Sequence, residues 1–426
     1  MKKRSVLVLS TVLFAFILEG CDSKASDTPV QAGAPKEPVT LVVWSQQPDI
    51  PSIEMFEELY AKPVHAKYPY ITLKLLQANN DPLDKLVTLG EIPDMFINSL
   101  LNFKNIRDVG LLYDLSPLIK KYQFDLNRIQ PGLIKQVLLT SDNGQINSIP
   151  HYLNFNALYY NKDLFDRFGI GYPRDGMNWD QILDLAQKMT RTDGGVNYRG
   201  LDPENLDRLN YIVGNLGALV DPKTDEPLVE QWKPAYEMYE RILSIPGNKL
   251  PEFNSSMDVF LKDKNVAMRL SYSQLDSLAK VTDLNWDMVT YPILKDRPVP
   301  KSVAGGKGLM IANTSKHKED AFLVIETILS EEVQKEFMRN GQLSTLKDKS
   351  IQAEFGKKLP FLKGKNVMSI FKYDSGWYAP TPYDGFVSGI PKKHALDMYN
   401  GKKDINTVIR EAKEEMTKII QDKMKK

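Results

Sequence analysis

Short runs of apolar residues alternate along the chain with segments in which apolar residues recur every three or four positions. The runs predict strands, and the recurring pattern predicts amphipathic helices. A first helix is predicted from about Ser52. Strands are predicted at residues 39–45, 71–77, 93–98 and 265–271. Strands that alternate with helices are typical of βαβ units, so the pattern indicates an α/β fold.

The clearest helical pattern lies at residues 178–190, which carry apolar residues at spacings of three and four. Asn178 is in position to cap the first turn, and Asp180 places a negative charge near the positive end of the helix dipole. Further helices are predicted from about Lys316 and from Asp404 towards the end of the chain.

The length of the chain, 426 residues, exceeds what one hydrophobic core usually supports, so we predict two domains. Extended segments around residues 150–155, around residues 298–308 and after Gln342 are candidates for passages between them. Several passages imply that each domain is discontinuous in sequence and that the domains share a hinge. The predicted lobes are residues 39–150 plus about 303–345, and residues 151–302 plus about 346–426.

The N-terminal residues have the pattern of a secretory signal. A positively charged start precedes an apolar run at residues 6–18, which is too short to span a bilayer. Gly20 then precedes Cys21, the only cysteine of the chain. We predict a signal peptide at residues 1–20 and a polar, flexible tether at residues 21–38. An ordinary signal peptide followed by an incidental cysteine is the alternative.

Composition narrows the class of protein. The net charge is +1, and removal of the predicted signal peptide leaves −1, so nucleic acid is not an expected partner. A single cysteine allows no internal disulfide. The sequence lacks the HExxH, GxSxG, GxxxxGK[ST] and GxGxxG motifs, and its four histidines are far apart. We therefore expect no catalytic residue, no metal and no cofactor.

Six segments together resemble the extracellular solute-binding proteins of sugar ABC importers, the group that includes maltose-binding proteins. In order they are VTLVVWS, PDMFIN, LLYDLSPLIKKY, ALYYNKDLFDRFGI, WDQILDLAQKMT and VAGGKGLMIANTSKHKEDAFLVIETILSEEVQKEF. The resemblance covers nearly the whole chain. It implies a two-lobed α/β fold of the periplasmic-binding-protein type that closes over a ligand, and a membrane permease as partner.

Leu18, Gly20 and Cys21 also resemble the cleavage site of bacterial lipoproteins. This second resemblance implies that Cys21 is diacylated and holds the protein on the outer face of the cell membrane. Glu19 departs from the lipoprotein pattern, which usually has a small or aliphatic residue there. Many relatives of the solute-binding family in Gram-positive bacteria are lipoproteins, which agrees with Cys21.

Candidate ligand contacts come from the chemistry of sugars, whose C–H faces pack on aromatic rings and whose hydroxyls need amide and backbone partners. Ligands of open α/β sheets bind beyond the carboxyl ends of strands, which selects Gln46, Gln47 and Asn98. Tyr152 and Asn154 fall in the first predicted passage between lobes.

Further candidates come from the resemblance and from local sequence. Tyr272 follows the strand at residues 265–271, where the resemblance to solute-binding proteins implies ligand contacts. Gly305 and Gly306 allow close approach of the backbone to a ligand. Trp377 and Tyr378 stand among Gly and Pro residues, which tend to expose their neighbours. Trp232 begins a helical pattern with tyrosines on the same face, a spacing that is more often found in the core than at a ligand site.

The residues therefore predict a monomeric binding protein that captures a carbohydrate without catalysis. The expected ligand is an oligosaccharide. The alternative is a lipid-anchored extracellular enzyme such as a glycosidase. Turnover of a sugar would distinguish the two, since a binding protein releases its ligand unchanged.

Overall fold

The computed structural model describes residues 36–46, 50, 52–100, 104–141, 144–213, 217–249, 252–296, 305–373 and 381–425. All elements below belong to one compact unit that begins at Pro38. The strands are β1 (Val39–Ser45), β2 (Ile71–Gln77), β3 (Met95–Ser99), β4 (Ile149–Leu153), β5 (Asn156–Asn161), β6 (Arg191–Asp193), β7 (Val196–Asp202), β8 (Val266–Tyr272), β9 (Trp286–Val289), β10 (Gly306–Ile311) and β11 (Leu343–Ser344).

The strands form two sheets. The first has the order β11-β4-β10-β3-β1-β2, and the second has the order β6-β7-β8-β5-β9. In the first sheet β1 is parallel to β2 and β3, whereas β10 runs antiparallel to β3 and β4. In the second sheet β5 runs antiparallel to β8 and β9, and β7 is parallel to β8.

Helices surround both sheets. The α-helices are α1 (Ile53–Phe56), α2 (Lys62–Lys67), α3 (Leu83–Leu89), α4 (Lys104–Arg107), α5 (Ser116–Lys121), α6 (Pro131–Thr140), α7 (Lys162–Phe168), α8 (Trp179–Met189), α9 (Lys233–Leu243), α10 (Asp258–Leu261), α11 (Leu275–Leu278), α12 (Lys318–Ile328), α13 (Glu331–Arg339), α14 (Asp384–Val387), α15 (Ile390–Tyr399) and α16 (Ile405–Met424). A π-helical turn, Glu57–Ala61, joins α1 to α2, and 3-10 turns lie at Leu126–Arg128, Leu206–Ile212, Val229–Trp232, Lys349–Glu354, Pro360–Leu362 and Val367–Phe371.

The local sequence patterns predicted these elements well. The strands at residues 39–45 and 71–77 are confirmed, and the one predicted from residue 93 begins at Met95. Pro93 has no N–H to donate to a neighbouring strand, and the Asp94 side chain accepts a hydrogen bond from the Val42 N–H at 3.0 Å, so the strand begins after these two residues. α8 is confirmed with a complete capping box between Asn178 and Gln181, which satisfies two N–H groups at the start of the helix.

Two main cores stabilise the unit. One lies against the first sheet and continues beneath the second, where it includes Tyr159 and Trp286. The other joins the opposite face of the second sheet to α8, α9, α15 and α16. A smaller cluster around Trp44 covers the remaining face of the first sheet, where the Trp44 indole N–H donates to the Asp81 carbonyl at 2.9 Å.

The chain passes between the sheets at three places. β4 of the first sheet is followed directly by β5 of the second, β9 of the second is followed by β10 of the first, and β11 is followed by the segments that lead to α14, α15 and α16 in the second core. Several connections between two sheets allow rotation about a hinge. The residue boundaries of the two lobes stay a prediction.

Candidate functional site

Six strand ends of the first sheet meet at one edge, which we call the first edge. It contains the ends of β1, β2, β3 and β4 and the beginnings of β10 and β11. Gln46 directly follows β1, and Asn98 is the residue before the last one of β3. The Nδ2 group of Asn98 donates to Oε1 of Gln46 at 3.3 Å, and Oδ1 of Asn98 accepts the Ser99 N–H at 2.7 Å. Two predicted site residues are therefore in contact.

The passage from β4 brings further predicted residues to the first edge. The backbone N–H of Asn154 donates to the Gly305 carbonyl at 3.1 Å, and Gly306 is paired with Leu153 in the sheet. A Cβ on Gly306 would lie 2.6 Å from the end of the Leu100 side chain, so any other residue here would displace that leucine. Gly305 has no heavy atom within 4 Å of the corresponding position, so its surroundings are open.

The matching edge of the second sheet, which we call the second edge, begins two residues beyond Asn154. β5 starts at Asn156, which pairs with Tyr272 at the end of β8. β7 ends beside β8, because Asp202 pairs with Arg269 in parallel register. The connection between β4 and β5 therefore joins the two edges directly. It places Asn154 two residues before Asn156, the partner of Tyr272 in the sheet.

A cation covers the Tyr272 ring at the second edge. The guanidinium carbon of Arg208 lies 5.1 Å from the ring centroid, a distance that is typical of a cation–π contact. Nη1 of Arg208 donates to Oδ1 of Asn156 at 3.4 Å, and Nε lies 3.4 Å from the Glu204 carboxylate. Burial lowers the pKa of Arg208, but Glu204, Tyr211, Tyr291 and Asp207 together outweigh this effect, so the pKa of Arg208 is raised.

A buried ion pair lies behind these residues. Arg269 donates to Asp202, and both side chains are almost completely buried. The Ser255 hydroxyl donates to Asp202 at 2.6 Å and accepts from Arg269 at 2.8 Å. Burial raises the pKa of Asp202, while Arg269 opposes this shift. The pair anchors the end of β7, where Glu204 follows two residues later.

Glu204, Arg208 and Asn156 were not predicted from the sequence. Glu204 and Arg208 lie in the irregular segment that follows β7, where hydrophobic periodicity carries no information about ligand contacts, and Asn156 begins β5. The signal that could have found Glu204 and Arg208 is their position just beyond the carboxyl end of a strand, the same rule that selected Gln46 and Asn98.

Two predicted contacts lie in the core instead. Trp232 is buried within the second core, and its indole N–H donates to the Ala218 carbonyl at 3.3 Å. Tyr152 is buried in the first core, with its ring 6.0 Å from that of Phe337. Both side chains are almost completely buried, because hydrophobic packing within the fold already surrounds each ring.

Four predicted positions, Cys21, Gln47, Trp377 and Tyr378, lie outside the described residues. Among the residues that the structure describes, no group of three or more His, Cys, Asp or Glu side chains has the arrangement of a metal site. None of the described helices is both long enough and apolar enough to cross a membrane.

A cavity of about 330 Å³ lies beside β11, and its walls include Gln130, Leu153, Leu343, Phe371 and Tyr373. None of the predicted site residues that the structure describes lines this cavity. Leu153 ends β4 and is paired with Leu343 at the start of β11, so the cavity adjoins the first edge.

Comparison with known proteins identifies the family. The family described as bacterial extracellular solute-binding protein matches residues 59–364, which is more than half of the chain. The chain belongs to this family. The family prediction made from the six sequence segments is confirmed.

Solved structures of other solute-binding proteins have the same fold. An ABC substrate-binding protein from Listeria monocytogenes in complex with cycloalternan has a TM-score of 0.72 at 16% identity, over 90% of this chain and 100% of that one. The sugar-binding protein MalE from Xanthomonas citri has a TM-score of 0.68 at 17% identity, over 91% and 98%. The predicted two-lobed α/β fold class is confirmed.

A closer sequence match covers a smaller region. The mannitol-binding protein of Pseudomonas aeruginosa is 27% identical over 167 residues. This match spans 36% of this chain and 36% of that protein, so the chain covers about a third of that relative's length.

Proposed function

We propose that this solute-binding protein is the substrate-binding component of an ABC importer and that it captures a carbohydrate between its two lobes. The observation that carries the proposal is the pairing of two complementary edges. The first edge offers the amide of Gln46, which is hydrogen-bonded to the buried amide of Asn98, and the second offers the Tyr272 ring with Arg208. One similar structure is a complex with cycloalternan, and one relative is named as a mannitol-binding protein. Both compounds carry many hydroxyl groups, which supports a polyhydroxylated ligand.

The two edges supply the kinds of group that a sugar requires. An amide side chain both donates and accepts hydrogen bonds, so Gln46 and Asn98 match hydroxyl groups, which do the same. Tyr272 offers an aromatic face to the apolar C–H face of a pyranose. Because these groups lie on different sheets, a ligand that contacts both sets favours the closed arrangement of the lobes.

The protein acts by binding and release, and the membrane permease of the importer receives the ligand. It works as a monomer on the outer face of the cell membrane, where an acylated Cys21 at the end of the tether holds it. An oligosaccharide is the proposed ligand class, since one sugar unit does not need contacts along two edges. These features extend the family assignment and rest on the sequence patterns described above.

Titration calorimetry of the purified protein without its signal peptide tests the proposal. The panel contains mono- and oligosaccharides, polyols, uronides and peptides. We expect saturable binding of one sugar per protein, with a rise in the free energy of unfolding of about 2.7 kcal/mol when free ligand is present at a hundred times Kd. Chromatography of the recovered sugar should show it unchanged. Binding of peptides alone, or hydrolysis of the sugar, would contradict the proposal.

A further inference from the structure

The second edge contains a cation whose charge is already balanced. Arg208 retains partial exposure, with 23% of its side chain accessible, and it faces the Tyr272 ring. A lone arginine in such a position would attract a carboxylate or phosphate ligand. The Glu204 carboxylate, 3.4 Å from Nε of Arg208, instead supplies the negative charge from within the protein.

The backbone holds Glu204 in a conformation that non-glycine residues rarely adopt. Its φ is +61°, in the left-handed region. The Glu204 N–H donates to Oδ1 of Asp202 at 2.7 Å, and its carbonyl accepts the Ser255 N–H at 3.1 Å. Residues persist in this region when their surroundings determine it, and such residues cluster at functional sites.

The side chain of Glu204 is also fixed. The Ser271 hydroxyl donates to its Oε2 atom at 2.9 Å, and the Gln274 amide donates to the same hydroxyl at 3.2 Å. Since Oε2 is the atom nearest to Arg208, these hydrogen bonds hold the carboxylate in place beside the guanidinium. Glu204 therefore remains next to Arg208 rather than moving away to admit an anionic ligand.

The other cations that face these carboxylates are also paired. Arg269 is paired with Asp202 and lies 4.0 Å from Oε2 of Glu204, and Lys392 lies 3.6 Å from Asp207.

We propose that Glu204 is a specificity-determining residue that restricts the site to uncharged polyhydroxylated ligands. By neutralising Arg208, it leaves the guanidinium as a hydrogen-bond donor for hydroxyl groups and removes the net charge that would capture a carboxylate. Uronic acids and sugar phosphates are therefore excluded. This inference rests on the proposed carbohydrate function and deepens it by defining the charge of the ligand.

Replacement of the carboxylate by its uncharged isostere tests the inference. Glu204→Gln keeps a side chain of the same size, with an oxygen that can still accept from Ser271, but it leaves the Arg208 charge unbalanced. Calorimetry should compare the best neutral sugar of the panel with the uronic acid of the same sugar. We expect the wild-type protein to prefer the neutral sugar, and Glu204→Gln to shift the ratio of the two Kd values towards the uronic acid by about tenfold, with a salt dependence that the wild type lacks.

Two further variants keep the result interpretable. Glu414→Gln removes a carboxylate from an exposed ion pair with Arg410 in α16 and should leave the ratio unchanged. Glu204→Gln combined with Arg208→Gln should return the preference to the neutral sugar, because the released charge is then absent. If Glu204→Gln is too unstable to measure, a wild-type protein that binds the uronic acid tenfold more weakly than the neutral sugar still supports the inference.

Equal binding of both sugars by the wild type, or an unchanged ratio in Glu204→Gln, overturns the inference while the carbohydrate function stands. Absence of binding to any sugar, neutral or acidic, in the wild type overturns the proposed function and the inference with it.

Discussion

The side-chain amide of Asn98 donates to the side-chain oxygen of Gln46 over 3.3 Å, although the two residues are 52 positions apart in the sequence. The contact forms because β1 and β3 are parallel neighbours, with Ser45 opposite Ile97. Parallel strands end at the same edge, so side chains that follow them are brought together. On the first sheet, the binding proposal depends mainly on this amide pair.

Replacing either amide should weaken sugar binding. Gln46→Ala and Asn98→Ala each remove hydrogen-bonding groups worth about 1 kcal/mol, so each Kd should rise by about fivefold. The effects in the double variant should not be additive, because the two amides contact each other. Calorimetry measures all three values. Gln123→Ala, at an exposed amide that follows α5, is the control, and an unchanged Kd in folded Gln46→Ala would remove this pair from the site.

Trp232 and Tyr272 should respond in opposite ways to truncation. Trp232→Ala removes a buried ring from the second core and should lower the free energy of unfolding by about 3–5 kcal/mol. Tyr272→Ala should change stability less but raise Kd by about tenfold, and Tyr272→Phe should keep most of the affinity because the ring remains. Denaturant unfolding and calorimetry measure the two effects. Strong loss of stability in Tyr272→Ala with unchanged binding would place that ring in the core instead.

The contrast between these two rings shows where sequence reasoning stops. α8 could be predicted from its periodicity and its Asn178 cap, because both signals are local. Whether an aromatic ring faces a ligand or the core depends on contacts with distant segments, such as that of Trp232 with Ala218. Spacing along the chain does not contain this information, so Trp232 was predicted as a ligand contact.

The second edge was harder to predict than the first for a related reason. Gln46 and Asn98 directly end clear apolar strands, so the rule for strand ends selected them. Arg208 lies within the 3-10 segment Leu206–Ile212, six residues beyond the end of β7, and its role depends on the position of Glu204 and Tyr272. Local patterns identify the strand but not the path of the chain that follows it.

His151 should make stability depend on pH. It is completely buried beside Tyr60, whose hydroxyl lies 2.7 Å from Nε2, and burial lowers its pKa to about 3. The unfolded chain, with a His pKa of about 6.5, binds a proton more readily than the folded chain between these values. Stability therefore falls as pH falls below about 6.5, and the nearby positive charge of Lys307 acts in the same direction.

Denaturant unfolding at pH 7.5 and pH 5.5 measures this dependence. The His151 contribution to the loss of stability between the two pH values should be about 1.4 kcal/mol, and it should be absent in His151→Gln. His65→Gln, at an exposed histidine of α2, is the control. Equal losses in wild type and His151→Gln would show that His151 is not the group responsible.

Cys21 should be required for retention at the membrane. In Cys21→Ser the thiol that receives the lipid is absent, so the protein should remain unprocessed or be released. Each buried methylene of a lipid chain contributes about 0.8 kcal/mol, so two or more chains hold a protein firmly. Fractionation of cells and mass spectrometry of the N-terminus measure the outcome. Processed Cys21→Ser that stays with the membrane would rule out the lipid anchor.

Small-angle scattering with and without a saturating cognate sugar tests most directly the claim that the two lobes close over a ligand. A ligand shifts an equilibrium only by its difference in affinity for the two states, and contacts to both edges exist only when the lobes are closed. We predict a smaller radius of gyration with the sugar. We predict no such compaction, at the same sugar concentration, in the double variant that combines Gln46→Ala with Tyr272→Ala. A radius of gyration that is unchanged by a sugar bound at full occupancy would contradict the account.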